Sequence, residues 1–123
     1  MGWYDRKRVA FNTLKGKVLT DIEVYEGGDD FIKFTDEDGR EYKMYHEQDC
    51  CENVYIEDIC GDVKDLIGRE IVEAEESDGE YEEASESGTW TFYRISTVMG
   101  TVTIRWIGES NGYYSESVDL VEL

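Results

Sequence analysis

The sequence predicts an α+β fold: a mainly antiparallel sheet, strongly curved or barrel-like, with one short helix between two strand-rich halves. Three observations predict it. Asp36-Glu37-Asp38-Gly39 separates two alternating segments, and Asp-Gly tolerates the positive φ angles of a tight hairpin turn. Residues 89–98 and 101–107 are dense in β-branched and aromatic side chains, which favour strands. Between these regions Val63, Leu66 and Ile67 recur at helical spacing. The 123 residues, 40% hydrophobic with nine Tyr and three Trp, fit a single domain with a real core.

The elements follow in order. Residues 1–15 read as an N-terminal arm or short helix, with Val9, Phe11 and Leu14 inward and Gly16 ending it. The cluster Arg6-Lys7-Arg8 pairs most simply with the acidic surface of its own domain. Residues 17–25 read as a strand with Val18, Ile22 and Val24 on one face and Leu19, Asp21 and Glu23 on the other. Gly27-Gly28-Asp29-Asp30 turns the chain into a second strand at 31–35. A third at 40–46 puts Tyr42, Met44 and His46 on one face, so this meander delivers His46 to a strand end.

Residues 54–60 fit a short strand through Val54 and Ile56, or a helix through Ile56, Ile59 and Cys60; both readings stand. A helix is expected over 62–67, with Asp62 capping it, Asp65 at the capping-box position and Gly68 closing it. Residues 69–74 read as a strand. From 70 to 86 there are nine acids and no cation. Such a run cannot bury itself, so residues 75–88 are expected to form a mobile acidic loop. The strands at 89–98 and 101–107 join through Met99-Gly100. Trp90, Phe92 and Tyr93 lie on the first, and Val102, Ile104 and Trp106 share a face of the second. Residues 108–112 are a loop, and Val118, Leu120 and Leu123 turn partly inward at the end.

Charge bounds the function. Thirty acids against twelve basic residues give a net charge of −18. Direct nucleic-acid binding is disfavoured, because it relies on Lys and Arg replacing counterions along the phosphates. A partner with a basic surface is favoured instead. No apolar run approaches the roughly 20 residues of a membrane span, and no signal-peptide core is visible. A soluble protein of the bacterial cytoplasm, with no membrane contact, is expected. Three cysteines are odd in number and poorly spaced for a disulfide framework, so reduced thiols are expected.

The run His46 to Glu52 holds the only histidine and two of the three cysteines. His46, Asp49, Cys50, Cys51 and Glu52, joined by Cys60, are donor types that suit zinc. Adjacent cysteines point apart, however, and buried cysteines acting as small hydrophobes are the simpler reading. A Cys50–His46 couple would suit nucleophilic catalysis, but Glu47, Asp49 and Glu52 would raise the thiol pKa by repulsion. A structural turn accounts for these residues better. The loop with Asn111, Tyr113, Tyr114 and Glu116 has recognition chemistry, since Tyr gives contact area at low entropic cost. It is equally an ordinary hairpin with Tyr113 in the core.

The run HEQDCCENVYIEDI at 46–59, with Trp106 and ESNGYYSESVDL at 109–120, resembles a family of small uncharacterised proteins of phages and prophages. The resemblance spans about Leu14 to Leu120 and implies a bacterial genomic context but no activity. Together with the charge, it leads to an expected non-catalytic accessory protein. Such a protein binds a basic host protein, inhibiting a nucleic-acid-handling or defence enzyme by mimicry. The expected contacts are His46, Gln48, Asp49, Glu52, Asn111, Tyr113, Tyr114 and Glu116, with Glu73, Glu75, Glu76, Glu80, Glu82 and Glu83; no catalytic residue and no cofactor is expected. The alternatives are a metal-binding domain built on His46, Cys50, Cys51 and Cys60, and a hydrolase.

Overall fold

Alternation of apolar and polar side chains decides the architecture. The computed structural model describes residues 7–48, 51–84, 86–112 and 115–123. Its strands are β1 (Lys7–Val9), β2 (Leu19–Tyr25), β3 (Phe31–Asp36), β4 (Glu41–Tyr45), β5 (Asn53–Cys60), β6 (Glu73–Glu80), β7 (Ser87–Thr97), β8 (Gly100–Ser110) and β9 (Asp119–Glu122). They pair antiparallel in two sheets, ordered β1-β9-β4-β3-β2 and β5-β8-β7-β6. With 59% strand and two sheets that do not close on each other, the fold is nearly all-β. It is neither α+β nor a barrel. No helix among the described residues is long and apolar enough to cross a membrane.

The helix expected over 62–67 is one 3-10 turn, Val63–Leu66. Asp62 does cap it, accepting from the Lys64 amide at 2.9 Å. The turn cannot propagate, because Ile67 bridges to Leu19 and Gly68 sits at φ +83° while donating to the Leu19 carbonyl. Asp65 instead stands against Gly100, where an added Cβ would lie 3.0 Å from its carboxylate. Of the arm or short helix expected over residues 1–15, the described part is β1 and a 3-10 turn at Phe11–Leu14. Phe11 and Leu14 are buried as predicted.

One open reading is decided and further expectations are corrected. The undecided segment 54–60 is β5. The expected acidic loop at 75–88 begins as strand β6, whose full length pairs with β7 from Glu73↔Ser96 to Glu80↔Thr89. Ladder hydrogen bonds to a strongly β-forming neighbour overcome its poor propensity. Leu19 is buried beside Ile22 rather than turned away from it, because a register shift between Leu19 and Asp21 rotates the strand. The hairpin loop is Val98-Met99, since Thr97 pairs with Gly100, and Leu123 is half exposed.

One core lies between the sheets. Ile32, Phe34, Tyr42, Met44 and Leu120 enter it from the first, and Val54, Ile56, Tyr93, Ile95, Ile104 and Trp106 from the second. Trp106 spans the gap, its Nε1 donating to Met44 Sδ at 3.2 Å. The chain passes from the first sheet to the second between β4 and β5, and returns between β8 and β9. Those two crossings carry the histidine–cysteine run and the end of the ESNGYYSES run.

Candidate functional site

The two crossings meet. His46 follows β4 directly, and its ring is buried against the returning segment. Nδ1 lies 2.7 Å from the Ser117 carbonyl and Nε2 lies 2.8 Å from Glu52 Oε2. A carbonyl only accepts, so the Nδ1 contact is an N–H donated to Ser117, while Nε2 faces the Glu52 carboxyl. Gln48 Nε2 donates to the Glu52 carbonyl at 2.7 Å and its carboxylate at 3.2 Å. The His46 and Glu52 side chains are 4% and 0% exposed. A carboxylate this deep is tolerable only because charge and donors surround it. His46, Gln48 and Glu52 therefore form a buckle between the sheets.

A cleft of about 590 Å³ opens beside the buckle, lined by Gly27, Asp29, Asp30, Gln48, Glu52 and Tyr55 among others. Sequence reasoning took Asp30 for a plain turn residue. Its Oδ1 accepts from the Gly27 and Gly28 amides at 3.0 and 3.1 Å, and its Oδ2 from the Ile56 amide at 2.9 Å. It thus ties the β2–β3 turn to the other sheet. The signal was an Asp beside Gly-Gly, since Asp side chains readily satisfy turn amides.

On the other side of the returning segment lies a groove of about 400 Å³, lined by Glu76, Asp78, Ser87, Thr89, Thr91, Glu116, Ser117 and others. Two expected contact residues, Glu76 and Glu116, meet here. Glu116 accepts from Thr89 Oγ1 at 2.7 Å and Ser110 Oγ at 2.5 Å. Burial pushes its carboxyl up, but hydrogen bonds from Ser110, Thr89 and Ser87 outweigh that and leave it below the usual carboxylate range. A depressed folded-state pKa adds stability above the unfolded value, lost as pH falls through the folded one. Glu116→Gln should therefore lower the melting temperature at neutral pH, and the gap to the parent should close in acid. A gap unchanged down to pH ~3 would refute this account, because carboxylates titrate near 4. Glu76 faces Tyr93, whose hydroxyl lies 3.1 Å from its Oε2 and 3.3 Å from the Val118 carbonyl. Burial, then Glu76, push the Tyr93 phenol far upward, so it stays a donor.

The remaining acids divide by strand parity. Glu76, Asp78 and Glu80 form one row of β6, while Glu73 and Glu75 point to the opposite face. There Arg94 Nη2 reaches them at 2.9 and 3.1 Å. The first effect on Glu73 is the Arg94 hydrogen bond, which holds its carboxyl low. Glu82 and Glu83 are exposed in the following turn, and Asn111 follows β8. Asp49, Cys50, Tyr113 and Tyr114 lie outside the described residues.

Among the described residues the metal alternative does not assemble. Cys60 is a free, exposed thiol at the far end of β5 from the buckle, seven residues or roughly 23 Å of strand beyond Asn53. Its thiol is pushed up, first by its hydrogen bond to Asp58. Cys51 is disulfide-bonded, which corrects the expectation of reduced thiols at this position. His46 has both ring nitrogens engaged. Among the described residues, no three His, Cys, Asp or Glu side chains converge to hold a metal.

A family described as a domain of unknown function, DUF7448, matches residues 12–120. The chain belongs to the DUF7448 family. The match covers both crossings, the buckle and the groove, so these features lie inside the DUF7448 domain. No curated protein matches the chain, and no solved structure does.

Proposed function

We propose that this DUF7448 protein is a phage-type accessory protein that binds a basic host protein without catalysis. A nucleic-acid-handling or defence enzyme, occupied in place of its nucleic acid, is the favoured class of target. The observation that carries the reading is the acidic row of β6. Glu76, Asp78 and Glu80 are all exposed and stand on one side of a fully paired strand. Alternate side chains of a strand repeat at roughly 6.6 Å, about twice the roughly 3.4 Å per charge along one nucleic-acid strand, so the row presents a regular line of negative charge at half that density. Held by the ladder to β7, the row needs no ordering when a partner arrives, which lowers the cost of association. The resemblance to phage and prophage proteins supplies the biological setting.

A basic partner should associate more slowly as salt rises, because screening cuts the reach of exposed charge to about 8 Å at physiological ionic strength. Capture from a bacterial lysate at low salt would supply the partner. The triple variant Glu76→Gln, Asp78→Asn, Glu80→Gln should then lower its on-rate several-fold and leave the off-rate nearly unchanged. An unchanged on-rate would reduce the row to a charged edge that only prevents strand-to-strand aggregation.

A further inference from the structure

The second sheet has an outer face that the core does not use. Trp90, Phe92 and Arg94 alternate with the core-facing Thr91, Tyr93 and Ile95, and on β8 Arg105 and Ile107 alternate with Ile104 and Trp106. Ile107 is 3% exposed although it points away from the inter-sheet core. It is paired with Trp90 on one side and Tyr55 on the other. Tyr81 meets Trp90 edge-on at 5.0 Å, and Phe92 stacks beside Trp90 at 5.9 Å. Across the ladder, Phe92 and Trp90 face only Ser77 and Gly79, so small residues leave the rings open toward the β6 edge.

Charge surrounds the rings. Arg105 holds its guanidinium 4.9 Å over the Trp90 ring while pairing with Glu57. Glu57 and Glu109 also act on Tyr55 and Tyr81, adding to burial in pushing both phenols up. An apolar partner would leave these carboxylates desolvated without counter-charge, and a second copy would bring the same −18 net charge against them. The chain's own Arg105 demonstrates what this face accommodates: a guanidinium stacked on a ring and hydrogen-bonded to a rim carboxylate.

We propose that this outer face docks an arginine-rich segment of the basic partner, its guanidinium groups stacking on Phe92 and Tyr81 beside the Arg105–Trp90 pair, within the acidic rim. This deepens the reading of the chain as a binder of basic proteins and rests on it. A planar guanidinium stacks on aromatic faces in a way a compact ammonium does not, so the face predicts a preference that charge alone cannot produce.

The test uses the full chain and two fluorescent peptides of equal length and charge, one rich in arginine and one in lysine, at physiological salt. The parent should bind the arginine peptide several-fold more tightly. Phe92→Leu and Tyr81→Leu keep an apolar side chain beside Trp90 but remove a ring; each should weaken arginine-peptide binding by about fivefold and leave lysine-peptide binding unchanged. Glu76, Asp78 and Glu80 stand on the opposite face of β6, so the acidic-row variant should leave the ratio of the two affinities unchanged. Equal affinity of the parent for both peptides would overturn the proposal, as would Leu variants that keep the arginine preference. No binding of either peptide by the parent would overturn the binder reading itself. Tyr81 directly precedes the β6–β7 turn, so its variant carries the test if Phe92→Leu fails to fold, which melting curves would show.

Discussion

Glu52→Ala is expected to destabilise the protein by about 3–5 kcal/mol, the range for breaking a buried ion pair by removing one partner. The substitution strands His46 Nε2 and a Gln48 amide hydrogen, both aimed at the lost carboxylate. It also loosens the contact between the two crossings, because the His46 ring would lose one of its two anchors. Glu52→Gln keeps the shape and an acceptor oxygen and should lose clearly less. Urea unfolding of both variants, with the slope compared to the parent, is the measurement. A loss below about 1 kcal/mol for the alanine variant would place the buckle among ordinary surface pairs.

Trp106→Ala should cost a similar amount, about 3–5 kcal/mol, for a different reason. The side chain is 1% exposed in the inter-sheet core, and deleting it removes apolar contacts and leaves a cavity that paired strands on both sides cannot collapse to fill. Trp106→Phe keeps one ring in the core, loses the smaller part of the indole volume together with the Nε1–Sδ contact to Met44, and should be the milder change. Comparable losses for the two would show that filling the site with a single ring does not hold the sheets together.

Much of the strand pattern was legible in the sequence where alternation and turn chemistry agree. The β3–β4 hairpin, the inward set Val102, Ile104 and Trp106, and the Asp62 cap all follow from local rules. The misreadings are places where a distant partner decides. Glu73–Glu80 looks like solvated loop until β7 is beside it, since its own residues bury almost nothing. Val63–Leu66 has helical spacing, yet a bridge from Leu19 stops it after one turn. The strand at 54–60 could not be told from a helix because a register shift between Ile56 and Asp58 disturbs its period-two pattern. At the site, donor types singled out His46 and Glu52. Their bond and the Ser117 contact, 71 positions away in sequence, required the fold. The aromatic outer face was missed because Trp90, Phe92 and Tyr93 were counted on one strand without separating its two faces.

The placement of β9 between β1 and β4 bears on how the chain is made. Synthesis runs from the N-terminus, so β1 and β4 leave the ribosome long before the strand that joins them. Until residues 119–122 emerge, β4 offers an unpaired edge and β1 has no sheet to belong to. The second sheet needs only residues 53–110 and can zip up first, while the first waits for its last member. Pairings this remote in sequence close slowly. The nascent chain therefore spends its most exposed period as one finished sheet and one open three-stranded meander. Lys33 and Lys43 along that meander put charge on surfaces that would otherwise invite a neighbouring chain.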